Sequence, residues 1–215
     1  MANGKQPGPD RLPNEMLKAL SESKEFCQII AKLFTACIHS GMLPNDWKLS
    51  SIFLVFKTGN PADPVNYRPI ALLNSTNKLF TTLINTRLSL FLESQQVFST
   101  MQGGFRMGKT TYTKMWTLVH TIEHANSHNR ALHVSYIDVK KAYDSVEHWG
   151  LQQVMEEYGF SPMFIKLINN LCINNFSQVI TPHGMSNEFK VTRGVRQGCP
   201  LSPTLFILFL NPLLT

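Results

Sequence analysis

The stretch SYIDVKKAYDSVEH, residues 135–148, decides how this sequence is interpreted. Its first four residues belong to a mostly apolar run, residues 132–138, that ends at Asp138. This pattern predicts a strand over residues 132–138. A carboxylate at the end of a strand is a natural ligand for Mg²⁺, which prefers oxygen ligands. Tyr143 follows five positions later, next to Asp144. Asp138 could instead cap a helix over VKKAYDSV, and the local pattern leaves both interpretations open.

A second unusual stretch is TRGVRQGCPLSP, residues 192–203. Two glycines, Gly194 and Gly198, flank an Arg-Gln pair, and two prolines follow, which predicts a tight loop leading into a helix. Gly198 permits close approach of the backbone to a ligand. Gln197 carries an amide that can both donate and accept, and Arg196 can pair with a phosphate. A plain turn before a buried helix is the alternative.

The stretch FKTGNPADPVNYRPIALLN, residues 56–74, is typical of the turn and second strand of a β-hairpin. SSIFLVFK, residues 50–57, is rich in β-branched and aromatic residues, TGNPADP is typical of a turn, and NYRPIALLN suits a second strand. Lys57 and Arg68 lie on opposite sides of that turn. Two such cations can clamp a triphosphate and neutralise charge that develops during phosphoryl transfer. A solvated, charged hairpin is the alternative.

The stretch GGFRMGKTT, residues 103–111, fits the P-loop pattern G-x-x-x-x-G-K-[ST]. A P-loop requires a strand that runs directly into the loop. The preceding FLESQQVFSTMQ is polar and typical of the end of a helix. We therefore interpret the match as accidental. An NTPase whose hydrolysis depends on Lys109 is the competing hypothesis.

Charge and composition are compatible with a polyanionic partner. The 215 residues carry a formal net charge of +6, and residues 57–114 hold seven Lys and Arg against two acidic residues. A locally positive face suits nucleic acid or nucleotide phosphates, and an ordinary basic surface explains it equally well.

Cysteine spacing and apolar runs narrow the class further. The four cysteines form no C-x-x-C pair, so no zinc is expected, and they indicate an intracellular protein, with the nucleus as one candidate compartment. No signal-peptide core is present, and LFILFLNPLL is too short to span a bilayer, so no membrane partner is expected.

Apolar periodicity predicts the remaining elements. Helical patterns cover residues 23–39, 77–93, 110–126, 146–158, 162–173 and 203–214. Residues 176–182 and 188–194 are typical of a strand pair.

Taken in order, these segments resemble the reverse transcriptase domain of non-LTR (LINE-type) retrotransposons. GPDRLPNEML resembles the segment before that family's fingers, and NYRPIALLN and QGGFRMGKTT resemble two fingers motifs. YIDVKKAYDSVEH resembles the palm motif, and GVRQGCPLSPTLFILFLNPL resembles the loop-and-helix motif beneath the template and the incoming nucleotide. The resemblance implies an α/β (α+β) fold with the fingers and an incomplete palm of a right-hand polymerase. Residues 1–49 would be an N-terminal extension, and residues 50–215 the reverse transcriptase domain.

The resemblance also implies RNA-directed DNA synthesis with Mg²⁺ as cofactor. The partners would be an RNA template, a DNA primer and deoxynucleoside triphosphates. Asp138 would be the catalytic, metal-binding carboxylate, and Arg106 would contact the template. Lys57 and Arg68 would bind the triphosphate of the incoming nucleotide. Tyr143 would be a steric gate that excludes a ribose 2′-hydroxyl. Gln197 and Gly198 would line the nucleotide pocket.

Two departures from the family matter. Its other two catalytic aspartates lie in a Tyr-x-Asp-Asp hairpin after the last helix, and this sequence stops at Thr215, before that hairpin. GKTT also stands where an Arg-Ser-Thr type sequence is more usual, so Lys109 receives no role. We therefore expect a reverse transcriptase fragment that is inactive alone. A domesticated nucleic-acid-binding module without catalysis is the alternative.

Overall fold

The computed structural model describes residues 2–214 and confirms the predicted α/β class. The α-helices are α1 Asn14–Leu20, α2 Lys24–Ser40, α3 Ser75–Ser94, α4 Thr111–Ser127, α5 His148–Glu157, α6 Pro162–Cys172 and α7 Ser202–Leu210. The strands are β1 Leu49–Phe56, β2 Tyr67–Leu72, β3 Asn175–Thr181, β4 Gly184–Met185 and β5 Phe189–Val191. Within residues 2–214, no helix is long and apolar enough to cross a membrane.

The sheet is built around β1, which lies between β2 and β3. β2 pairs with β1 in antiparallel orientation, and β3 pairs with β1 in parallel orientation. β4 and β5 both pair with β3 in antiparallel orientation. A parallel pair needs a long connection, and here the connection carries β2 and the helices α3 to α6. The hairpin and the strand pair that the sequence predicts are both present.

Helix boundaries follow local signals closely. α2 begins after Ser23, whose Oγ accepts from the backbone N–H of Phe26 at 3.2 Å. It ends at Ser40 and is followed by Gly41, which has a φ of +67°. α7 ends at Leu210 and continues only as a 3₁₀ turn, Asn211–Leu213, so the predicted helix over 203–214 is too long. Pro212 cannot donate a backbone hydrogen bond and so favours this end.

The apolar core joins the N-terminal helices to the rest of the chain. Phe80 on α3 is fully buried, with its ring centroid 5.0 Å from that of Phe34 on α2 and 5.3 Å from that of Trp47. Burial of one such side chain stabilises the fold by about 2 to 3 kcal/mol. Residues on both sides of the proposed boundary at 49/50 thus share one core, and the boundary itself stays a prediction.

The strand predicted over residues 132–138 is absent, and this prediction was wrong. The segment is irregular and exposed throughout, with Tyr136 at 84% and Ile137 at 92% exposure. An apolar run becomes a strand only where a neighbour pairs its backbone and covers one face. No strand of the described residues pairs with it. The alternative helix over VKKAYDSV is not formed either, since only a 3₁₀ turn, Ala142–Ser145, follows Lys141.

Candidate nucleotide-binding site

The β1–β2 hairpin presents Lys57 and Arg68 on one face. Arg68 lies opposite Val55 in the antiparallel register. Lys57, two residues beyond Val55, donates its backbone N–H to Asn66 O at 2.9 Å. Because alternate residues of a strand share a face, Lys57 and Arg68 are diagonal neighbours on one surface. Both side chains are exposed, so two positive charges face solvent together.

The tip of the hairpin is fixed by its own side chains. Asp63 Oδ1 accepts from the backbone N–H of Val65 at 3.0 Å, and the Tyr67 hydroxyl donates to Pro61 O at 2.9 Å. Such local turns restrict the loop before any ligand arrives. Preorganisation of this kind reduces the entropy that binding must cost.

The 193–199 loop docks against β2. The backbone N–H of Ala71 donates to Gln197 O at 2.6 Å. Gly198 has a φ of +115°, and a Cβ added there would lie 2.5 Å from Ala71 O, so a side chain would push the loop off the strand. Ala71 lies three positions after Arg68 on β2. The loop therefore holds Gln197 and Gly198 about 10 Å along the strand from that cation.

The opposite side of the same loop docks against the turn that carries Tyr143. The backbone N–H of Val195 donates to Tyr143 O at 2.8 Å, and that of Gly194 donates to Val146 O at 2.8 Å. Gly194 has a φ of +89°, and a Cβ added there would lie 2.8 Å from the Cα of Asp144. Only glycine permits this approach. One loop thus connects the Tyr143 turn to the hairpin.

The ring of Tyr143 is held against the last helix. It is half-buried and packs on Phe206 of α7, with ring centroids 5.5 Å apart. Burial raises the pKa of the Tyr143 phenol, so the side chain is neutral at physiological pH. A fixed, uncharged ring at the edge of the loop is compatible with a steric role. The steric-gate assignment itself stays a prediction.

Arg196 is half-buried beneath the loop, and its guanidinium is bonded inside the protein rather than presented to a phosphate. Nη1 donates to Trp47 O at 2.9 Å, and Nη2 donates to Lys48 O at 3.0 Å and to Asn175 Oδ1. Burial lowers the pKa of Arg196. The expected phosphate contact is therefore wrong for this conformation. Arg196 instead anchors the 193–199 loop to the beginnings of β1 and β3.

Arg106 is also engaged inside the protein. Its Nε and Nη2 donate to the two carboxylate oxygens of Glu93 at 2.8 and 2.6 Å, and its Nη1 donates to Ser99 O and Gln102 O. The hydrogen bonds from Arg106 hold the pKa of the Glu93 carboxyl below its usual value. Only 9% of the Arg106 side chain is exposed. Its contact with a template stays a prediction, and it would require this ion pair to open.

Asp138 lies outside the framework that the loop builds. It is exposed and belongs to no strand. Within residues 2–214, no group of three or more His, Cys, Asp or Glu side chains is arranged to hold a metal ion. Mg²⁺ requires several oxygen ligands in near-octahedral geometry. These residues therefore do not by themselves form the implied metal site, and we assign no catalytic step to it.

The GGFRMGKTT stretch lacks the surroundings of a P-loop. The element directly before it is the helix α3, and no strand lies between α3 and this stretch. Gly103 packs against the side chain of Lys114, whose Nζ donates to Thr100 O at 3.1 Å. Thr110 caps α4 by accepting from the backbone N–H of Thr113 at 3.3 Å. This geometry agrees with the interpretation of the match as accidental.

The structure thus connects most, but not all, of the predicted site. The 193–199 loop contains Gln197 and Gly198 and is hydrogen-bonded to Tyr143 and to Ala71 of β2. β2 also carries Arg68 and pairs with β1, which ends next to Lys57. Sequence reasoning missed the anchoring role of Arg196, because its carbonyl acceptors lie 148 and 149 residues away. It also missed the pairing of Arg106 with Glu93, for which opposite charge was the only signal.

Comparison with known proteins identifies the family of the chain. The sequence model of the family described as reverse transcriptase (RNA-dependent DNA polymerase) matches residues 56–215. The chain is 34% identical over 209 residues to the probable RNA-directed DNA polymerase from transposon X-element of Drosophila melanogaster. That match covers 97% of this chain and 23% of the relative.

Two further relatives come from the same organism. The chain is 28% identical to the RNA-directed DNA polymerase from mobile element jockey, over 98% of this chain and 23% of that protein. It is 25% identical to the retrovirus-related Pol polyprotein from type-2 retrotransposable element R2DM, over 97% of this chain and 19% of that protein. The chain spans less than a quarter of the length of these relatives.

Proposed function

Since the chain belongs to the reverse transcriptase family and is related to the polymerases of non-LTR retrotransposons, we propose that residues 50–215 are the fingers and part of the palm of an RNA-directed DNA polymerase. The family generally uses divalent metal ions, a nucleic-acid template and deoxynucleoside triphosphates. The observation that carries the proposal is the 193–199 loop, which bonds the basic hairpin on one side and the Tyr143 turn on the other.

The residues of this surface suit an incoming nucleotide. Lys57 and Arg68 would bind the triphosphate, since two cations on one face of a hairpin can contact neighbouring phosphates. Gln197 and Gly198 would line the pocket beside β2, where the backbone is already fixed. Tyr143 would lie next to the sugar and disfavour a ribose 2′-hydroxyl. Arg106 would reach a template only after release from Glu93.

We further propose that the 215-residue chain alone does not polymerise DNA. Metal-assisted phosphoryl transfer needs carboxylates that are fixed relative to one another. Asp138 is the carboxylate expected here, and it lies on an exposed segment outside any strand. The test is RNA-templated primer extension with the purified chain and Mg²⁺, for which we expect no product. Robust extension would contradict the proposal.

A nucleic-acid-binding module without catalysis is the second candidate. It is favoured because Lys57 and Arg68 are exposed and need no contribution from Asp138 to contact phosphates. The two candidates predict different selectivity in nucleotide binding. A polymerase pocket should bind deoxynucleoside triphosphates more tightly than ribonucleoside triphosphates when a primer–template is present. Replacement of Tyr143 with Ala should narrow that difference. A plain binding module should show no preference, and Tyr143→Ala should change nothing.

A further inference from the structure

Two polar atoms beneath the 193–199 loop have no hydrogen-bond partner in the protein. They are Nε of Arg196 and Oδ1 of Asn77, and both are buried. A buried donor or acceptor that stays unpaired is costly, so native proteins rarely leave one without a partner. One of these atoms is a donor and the other an acceptor. A single small molecule between them could therefore satisfy both.

The orientations of both side chains are fixed by a shared acceptor. Asn77 Nδ2 donates to Trp47 O at 3.1 Å, and Arg196 Nη1 donates to the same oxygen at 2.9 Å. The bond from Asn77 Nδ2 to Trp47 O directs Oδ1 of the same amide away from that oxygen. The other bonds of Arg196, to Lys48 O and Asn175 Oδ1, hold the guanidinium plane. Neither unpaired atom can turn to solvent without breaking these bonds.

A small cavity lies beside both side chains. Its volume is about 30 Å³, and Asn77 and Arg196 both line it. A cavity of about 10 to 15 Å³ already holds one water molecule, provided that polar partners are present. Thr81 and Ser202 line the same cavity and add hydroxyl groups. The space is therefore large enough and polar enough for water.

From these contacts we propose that one buried water molecule accepts a hydrogen bond from Arg196 Nε–H and donates one to Asn77 Oδ1. The bridge ties the 193–199 loop to α3 and completes the anchor that Arg196 makes at β1 and β3. This inference does not depend on the proposed function, because it concerns the interior side of the loop.

Other small occupants fit the site less well. An inorganic cation would face the Arg196 guanidinium at close range, which is unfavourable. Chloride could accept from Nε–H but could not donate to Asn77 Oδ1. Burial raises the pKa of Cys172, which lines the same cavity, to about 12, so that thiol is neutral and offers no charge to an ion. Water is both donor and acceptor, as the two atoms require.

The direct test is a crystal structure of the 215-residue chain at a resolution that shows other buried waters. We expect a density peak 2.7–3.2 Å from both Arg196 Nε and Asn77 Oδ1. A cavity without density, or a peak that touches neither atom, would overturn the proposal.

A second test follows the bridge in solution. The Nε–H signal of Arg196 should show a direct NMR cross-relaxation peak to water, and Asn77→Leu should abolish it. The same substitution should raise the unfolding equilibrium constant by at least roughly tenfold, because it leaves a buried donor unpaired and also removes the bond from Asn77 Nδ2 to Trp47 O. The matched control is Asn85→Leu on the same helix, since Asn85 Oδ1 is also buried without a protein partner. The Asn85 variant should leave the Arg196–water peak unchanged. If wild-type protein shows no such peak, the bridge does not exist.

Discussion

At the scale of single residues, two glycines with similar backbone angles have different surroundings. Gly198 has a φ of +115° and packs against β2, whereas Gly184 has a φ of +121° and no neighbour within 4 Å of an added Cβ. At position 198, any other residue would strain the backbone and also clash with Ala71 O. At position 184, it would only strain the backbone. The pair therefore separates these two effects experimentally.

We expect Gly198→Ala to lower the free energy of unfolding by about 3 kcal/mol, since strain and overpacking both contribute. The control Gly184→Ala should cost about 1 kcal/mol. Urea unfolding of the two variants measures the difference. Equal losses would mean that the approach of Gly198 to Ala71 O does not hold the loop on the strand.

The Arg106–Glu93 pair gives a residue-scale prediction about stability and pH. Arg106→Ala should cost about 2 to 3 kcal/mol, below the range for fully buried pairs because Glu93 is 25% exposed. The control Arg193→Ala breaks an exposed contact of 3.7 Å to Glu147 and should cost less than about 1 kcal/mol. Denaturant unfolding at neutral pH should show this order. Similar losses in the two variants would contradict the anchoring role of Arg106.

The sign of the pH dependence follows from the carboxyl group of the pair. Arg106 lowers the folded-state pKa of Glu93 below its unfolded value. The pair therefore stabilises the fold above the unfolded pKa of about 4.3, and this contribution disappears as pH falls through the folded pKa. The stability difference between wild type and Glu93→Gln should shrink in that acidic range. A difference that stays constant from pH 7 to pH 3 would contradict this assignment.

At the scale of elements, structure that depends on neighbouring residues could be predicted from the sequence, whereas contacts between distant residues could not. The hairpin and α2 could be predicted because turn residues, alternation and caps lie within a few positions of one another. The segment 132–138 looked equally convincing, yet a strand depends on a partner that the segment itself does not specify. The link from Arg196 to Trp47 O and the bond from Ala71 to Gln197 O likewise join distant parts of the chain.

The same contrast predicts a gradient in hydrogen exchange. α3 buries Phe80, Ile84, Leu88 and Leu92, so its amides should exchange slowly, at rates near those of global unfolding. Residues 132–138 are exposed and belong to no strand, so their amides should exchange at nearly the rate of an unfolded chain. Exchange measured by mass spectrometry resolves the two regions. Uniform protection in both would mean that this segment is paired in solution.

At the scale of the whole molecule, charge and apolar surface are unevenly distributed. Lys57 and Arg68 place two exposed cations on one hairpin face, whereas the guanidinium groups of Arg106 and Arg196 are bonded inside the protein. Exposed apolar side chains lie on β1 of the same hairpin, including Phe53 and Phe56, and along α4 and the segment after it, including Trp116 and Ile137. The net charge of +6 therefore says less about a partner than the position of the hairpin does.

The central claim is that this hairpin face binds nucleic acid or nucleotide phosphates, and the salt dependence of RNA binding tests it most directly. The variant carries Lys57→Ala and Arg68→Ala. The control carries Lys24→Ala and Lys32→Ala, two exposed cations of α2, and loses the same net charge. Affinity for a single-stranded RNA is measured across a series of salt concentrations.

Each phosphate contact with a single strand contributes about 0.7 to the slope of log affinity against log salt. The Lys57/Arg68 variant should therefore bind more weakly and lose about 1.4 from that slope. The Lys24/Lys32 control should keep the wild-type slope. If the hairpin variant keeps the slope and the control loses it, the RNA-binding face lies on α2 and not on the hairpin, and the claim that the hairpin face binds nucleic acid is contradicted.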